Sequence, residues 1–279
     1  VALLIQGESI LMFWGTYSTL WWSVFGLSVL SILLVRVGLA HFNREELLGR
    51  EIDVLNFRWG WKTFRRQFAG GAKSVVNWYL KAIPAAVQKM RLAILFTTIF
   101  AVIAVLIGIQ LLQRFPLTIA RLSLGNQLGQ VMNLLPVFSA APVIIIWLQN
   151  IRVQVIGLIL GLFSFSILGF IPLFVSLGLS GYLVAMLVQN GVPALSLIVG
   201  LFLPHSIFEI PALILSTAAV FQIGVLLATA NPEKTIGEVW ISALADWAKI
   251  MVGLVLPLLL IGAAIEAWIT PRVALLLLH

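Results

Sequence analysis

The sequence predicts an all-α, polytopic membrane helix bundle of about six spans, and three observations carry that prediction. Hydrophobic residues make up 61% of the 279 positions and charged residues only 10%, against roughly 45–50% and about 25% in soluble domains. A single soluble core stops growing at about 250–300 residues and still needs a polar skin, which this composition cannot supply. Several apolar stretches reach the ~20 residues needed to cross a hydrocarbon layer of about 30 Å, and none alternates like the ~10-residue strands of a transmembrane barrel. The third observation is where the charge lies. Between Arg36 and Arg91 stand eleven Lys/Arg and four acids, whereas the rest of the chain holds six of each, so one segment carries the whole net charge of +7. That is the bias of a cytoplasmic loop, not of a nucleic-acid surface.

The first expected span covers residues 17–35, with Trp21 and Trp22 at its outer boundary as interfacial aromatics. Within residues 57–68, Phe57, Trp61, Phe64 and Phe68 share a narrow helical arc flanked by Arg58, Lys62, Arg65 and Arg66. This pattern reads as a basic amphipathic helix lying among anionic headgroups, where each basic residue contributes ~1 kcal/mol. The competing reading packs the same helix on the protein's own cytoplasmic face. Gly70-Gly71 ends it, and a short helix at residues 75–83 leads to Pro84, placed in the first turn of a long helix through Lys89 and Arg91 into the span 92–112. Spans are expected at 153–171, where Gly157 and Gly161 invite close helix approach, and at 174–189, which is rich in small residues. The apolar run 194–203 is too short to cross and stops at Pro204, so it reads as half of a broken or re-entrant helix, followed by a full span to residue 228. A last span covers 250–268. The chain thus divides into an N-terminal span with a charged run (1–53), a basic cytoplasmic region (54–91) and a five-span membrane domain (92–279). With the loop 36–91 inside the cell membrane, both termini lie outside.

Charged side chains at the centre of a span cost about 2.5–3.5 kcal/mol on insertion scales, so those that occur face a partner or a cavity. The candidates are Asn150, Arg152, His205, Glu209 and Glu266, together with Pro204 and Pro211 around the break. His205 and Glu209 are four residues apart and share a helix face. Two readings stand. The cluster is a proton or substrate site, or it is a self-neutralising network in which Arg152 pairs with Glu209 or Glu266 and His205 caps the broken turn. The second is favoured.

Enzyme chemistry finds little support. The sequence has no HExxH, G-x-S-x-G or P-loop string and no cysteine, and His205 with Glu209 alone would under-coordinate zinc. Glu45-Glu46 followed by Arg50 matches an EExxxR string of intramembrane proteases, but these residues lie in a charged juxtamembrane run. No catalytic residue, metal or cofactor is expected.

The run Leu203-Pro-His-Ser-Ile-Phe-Glu-Ile-Pro-Ala212, with Gln149-Asn-Ile-Arg-Val153 before it and Ile265-Glu-Ala-Trp-Ile-Thr-Pro271 after it, resembles the stage II sporulation protein M family over about residues 57–272. Ser206 stands where the family usually has glycine. The resemblance implies a five-span bundle with a cytoplasmic N-terminal region, acting as a membrane scaffold for peptidoglycan hydrolases, in sporulation engulfment where the source forms spores. Residues 17–53 resemble the C-terminal end of an ABC-exporter permease, which implies an export subunit that needs a separate ATPase. The partners expected are therefore lipid with anionic headgroups, and either wall hydrolases or an ABC ATPase and permease. Homo-oligomerisation is compatible with both.

Overall fold

The computed structural model describes residues 24–26, 28–36, 38, 57–116, 140–229 and 235–277. Among these no strand occurs, and five helices are long and apolar enough to cross a membrane: Arg91–Arg114, Ala140–Phe163, Leu168–Gln189, Ala194–Ala228 and Gly237–Trp268. These are the five spans expected after the basic loop. Of the expected first span, residues 24–26 and 28–36 are helical; Trp21, Trp22 and the charged run after residue 38 lie outside the described residues.

Helix α1 is Phe57–Ala69. Gly70 and Gly71 adopt φ of 58° and 74°, and the Gly70 amide returns to the carbonyls of Arg66 and Gln67. A left-handed pair of this kind needs glycine. Helix α2 covers residues 75–89 and α3 is Arg91–Arg114. The expected long helix through Pro84 and Arg91 is interrupted at Met90 (φ −101°, ψ 16°), whereas the chain stays helical across Pro84. Helix α4 is Ala140–Phe163, α5 is Leu168–Gln189 with a 3-10 first turn, α6 is Ala194–Ala228, α7 runs through Gly237–Trp268 and α8 is Thr270–Leu277.

The expected break at Pro204 is a π turn inside one continuous 35-residue helix. A proline has no N–H, and its ring collides with the carbonyl four residues earlier. Widening the preceding turn relieves both problems. The same solution recurs three times: π turns at Trp78–Ala82, Ile198–Phe202 and Met251–Val255 stand just before Pro84, Pro204 and Pro257. In each, the residue four before the proline is the middle of the turn. At about 1.5 Å per residue α6 is about 50 Å long, more than one hydrocarbon thickness. Its first turns project to meet α8, where Gly200 lies against Ala274. Asn150 and Arg152 likewise stand in the middle of α4, not at the opening of a span, because the helix begins at Ala140.

Lipid supplies no hydrophobic drive between helices, so close packing must hold them together. On α3 the buried positions Ala93, Thr97, Ala101, Ala104, Gly108 and Leu112 form one seam of mostly small residues. It faces Leu173, Leu177, Gly178 and Gly181 of α5. A methyl group on Gly108 would meet the Gly178 carbonyl oxygen at 1.9 Å, and one on Gly181 the Val105 oxygen at 2.5 Å. Gly157 and Gly161 of α4 serve a similar purpose against Pro172, Gly169 and Val220. Where α4 returns into α5, Phe165 and Ser166 take left-handed φ of 48° and 72°. Such non-glycine conformations cost of order 1–3 kcal/mol and persist only where the surroundings impose them. Here the buried Ser166 hydroxyl donates to the Val220 carbonyl at 2.5 Å and accepts from the Gly224 amide at 3.0 Å, locking the turn onto α6.

Gly108→Val is therefore expected to separate α3 from α5, and overpacking of this kind costs about 1–3 kcal/mol or more. Gly237→Ala is expected to leave stability unchanged or slightly raised, since that position opens onto free space and alanine favours helix by up to ~1 kcal/mol. Thermal unfolding of both variants in detergent checks the pair.

Candidate functional site

Of the polar side chains singled out in the sequence, Asn150, Glu209 and Glu266 come together from three helices, His205 stands one turn away, and Arg152 stands apart. Glu209 lies on α6, and its Oε1 accepts from Asn150 Nδ2 of α4 at 2.9 Å. On its other side the carboxyl rests against Gly262 of α7, where a Cβ would stand 2.6 Å from Glu209 Cγ. One turn beyond Gly262, the Glu266 carboxyl comes within hydrogen-bonding reach of Glu209. His205, one turn before Glu209 on the same face, sets Nδ1 3.3 Å from Thr270 Oγ1 at the start of α8. Arg272 then donates to the Trp268 carbonyl, holding the α7–α8 corner. Pro204 occupies the first turn after the π bulge, and Pro211 sits inside α6 on its exposed side.

Arg152 is the exception. The expected pairing with Glu209 or Glu266 does not occur: among the described residues the ion pairs are Lys89–Asp246 and Lys249–Asp246, and Arg152 is exposed. The reason is angular. Residues two apart lie on opposite sides of a helix, so with Asn150 turned to Glu209, Arg152 points out of the bundle. The Glu209 carboxyl meets the Asn150 amide instead of a cation.

A second cluster escaped the sequence reading. Asp246 of α7 takes Lys249 at 2.8 Å and Lys89 at 3.6 Å, and Gln67 of α1 donates to both of its oxygens at 3.1 Å. Lys249 is almost fully buried. The signal lay in the i,i+3 acid and base of Asp246-Trp-Ala-Lys249, set in an otherwise apolar run. Thr235 and Glu238 form a capping box that starts α7 just before it, so the helix begins well ahead of the expected residue 250. A cavity of about 420 Å³ opens alongside, with Gln67, Lys89, Gln222, Ser242 and Asp246 on its wall, and none of the Glu209 cluster lines it.

This clamp fixes α1 on α7, so the amphipathic helix packs against the protein's own membrane domain. Gly60, Thr63 and Gln67 turn inward, with Gly60 against Ile241. Arg58, Lys62, Arg65 and Arg66 are exposed on a separate arc. Between the two arcs runs an aromatic ridge, Trp61 stacked on Phe64 and Phe64 on Phe68, continued by Trp78, whose indole donates to the Phe68 carbonyl. Phe57 and Trp61 at its free end are 83% and 62% exposed. Among the described residues no three His, Asp or Glu side chains converge as metal ligands.

The architecture is that of a multi-pass, all-helical membrane protein with an internal polar cluster on its central helix and a docked basic amphipathic helix at one end. Residues 92–271 match the family model described as Stage II sporulation protein M. The chain belongs to that family. Neither the curated proteins nor the solved structures give a match.

Two outcomes follow. Glu209→Ala strands the Asn150 amide and is expected to cost about 1–3 kcal/mol, whereas Glu209→Gln keeps an acceptor and costs less; detergent unfolding midpoints of the two variants separate them. Asp246→Ala leaves the buried Lys249 charge alone, a loss of about 3 kcal/mol, and releases α1, to be read as faster proteolysis near Gly70-Gly71.

Proposed function

We propose that the protein is a membrane scaffold that organises envelope partner proteins and carries out no chemistry of its own. The observation that carries this reading is the saturation of the Glu209 cluster. Asn150 and Glu266 flank Glu209 from α4 and α7, and one turn away His205 of α6 meets Thr270 of α8. A transport site would need to exchange those contacts for a substrate or proton, whereas a scaffold needs them to stay closed. The docked basic helix supports the reading too. It gives the membrane domain a rigid end with aromatic and basic arcs directed outward, the composition that seats a helix among anionic headgroups. That end, with the turn 164–167 and the start of α7, is assigned to the cytoplasm of the cell membrane by its excess of Lys and Arg.

The alternative is an accessory subunit of an ABC-type exporter, favoured by the likeness of residues 17–53 to a permease terminus. Purification of the complete protein from native membranes tests the two. Wall hydrolases co-purifying support the scaffold; an ATPase co-purifying, with activity abolished by Glu209→Gln, overturns it in favour of export. Sidedness is checked separately, and the absence of native cysteine makes the test clean. Lys73→Cys is expected to resist an impermeant maleimide in intact cells, and Gln189→Cys to react with it.

A further inference from the structure

The outer face of α4 carries a feature that the closed Glu209 cluster does not use. Exposed positions Ile145, Leu148, Val155, Ile156 and Ile159 form an apolar stripe suited to lipid, but Gln149 and Arg152 stand in its middle, also exposed. Arg152 has twelve residues of the helix before it and eleven after, so it lies near mid-depth, too far from either surface for an easy reach to headgroups. A guanidinium there calls for an anion beside it.

Among the described residues no carboxylate of this chain stands there. Glu209 and Glu266 face the interior, Asp246 is held by two lysines and Glu238 closes a helix cap. The span expected at residues 17–35 contains no acid, nor do residues 117–139. A two-fold pairing of α4 with a second copy would set the same patch on both sides, placing Arg152 opposite Arg152.

We propose that this face of α4 is the docking stripe for a transmembrane helix of a different protein, one that carries an aspartate or glutamate at mid-membrane. The carboxylate would accept from the planar guanidinium fork of Arg152 and from the Gln149 amide, with the flanking isoleucines and leucine packing on the partner helix. The inference rests on the scaffold reading and gives it a surface and a partner chemistry.

Photo-crosslinking in native membranes tests it, with a benzophenone side chain at Leu148 or Ile156 and, as control, at Leu106 on the exposed side of α3. The expected result is an adduct from both α4 positions, and not from Leu106, with one membrane protein whose linked span contains Asp or Glu. Arg152→Leu should lower its yield about tenfold, the range of polar contacts between membrane helices, and Arg152→Lys should retain most of it. Exchanging charges, Arg152→Glu with the partner's acid changed to Arg, should restore it. Because Arg152 is exposed, these variants are expected to keep the parental unfolding midpoint. Adducts with lipid alone, with a second copy, or with a span lacking an acid overturn the proposal. Co-purifying wall hydrolases without α4 adducts would refute the docking face and leave the scaffold standing. An acid-bearing adduct on an export permease would do the reverse.

Discussion

Within a bilayer no water is at hand to satisfy a polar group, so each must find its partner in protein. Glu209, on the central helix, is where this constraint does most to set the structure. Its carboxyl reaches α7 only because Gly262 leaves room, which brings α6 and α7 close. Its bond to Asn150 sets the rotation of α4. Once Asn150 faces inward, Gln154, Gly157 and Gly161, at four, seven and eleven residues on, must face inward as well, and all three are buried. The glycines then admit Val220 and the return of the chain into α5, where Ser166 closes on α6. The same rotation turns Arg152 outward. One carboxyl thus fixes what the bundle hides and what it shows.

Backbone groups obey the same rule. Several prolines stand inside or at the joints of the helices, and each removes a donor that lipid cannot replace. The π turns ahead of Pro84, Pro204 and Pro257 keep the helices continuous at those points. Gly200 and Gly253 sit in the middle of two of these turns. There they do more than yield to the proline: Gly200 receives α8, and Gly253 lies so close to Ile83 and Trp78 that a Cβ would strike them. The distortion becomes a contact surface, joining the C-terminal helix at one end and the basic region at the other.

What could be read from the sequence follows from which signals are local. Hydropathy is summed along the chain, so the five spans after the basic loop were legible, as were the single helix carrying His205 and Glu209 one turn apart and the end of α1 at Gly70-Gly71. Pro204 was misread as a break because sequence shows the missing N–H but not the widened turn that accommodates it. The start of α4 at Ala140 was missed because Gln149, Asn150 and Arg152 interrupt the hydropathy without interrupting the helix. The Arg152 pairing failed because opposite charges were matched without regard to helix angle, although a spacing of two from Asn150 already placed them on opposite sides. Asp246 and Lys249 were overlooked for a different reason. Gln67, the partner of Asp246, is 179 residues away, and no local pattern announces a contact of that range.

The two clusters act at different depths and for different ends. Asp246 with its lysines and Gln67 holds the basic helix against the spans and ties that end to the bundle. Glu209 with Asn150 and Glu266 holds the spans to each other. With both closed, Gln149 and Arg152 stand exposed at mid-depth on the outside of α4. Inside the bundle the Thr97 hydroxyl and the Trp247 indole N–H are the buried side-chain groups without a partner among the described residues. A carrier would keep a charge such as Arg152 inside, along a path for its cargo. On the proposed scaffold reading, the exposed Gln149 and Arg152 on the outer face of α4 are where a helix of another protein would complete the structure.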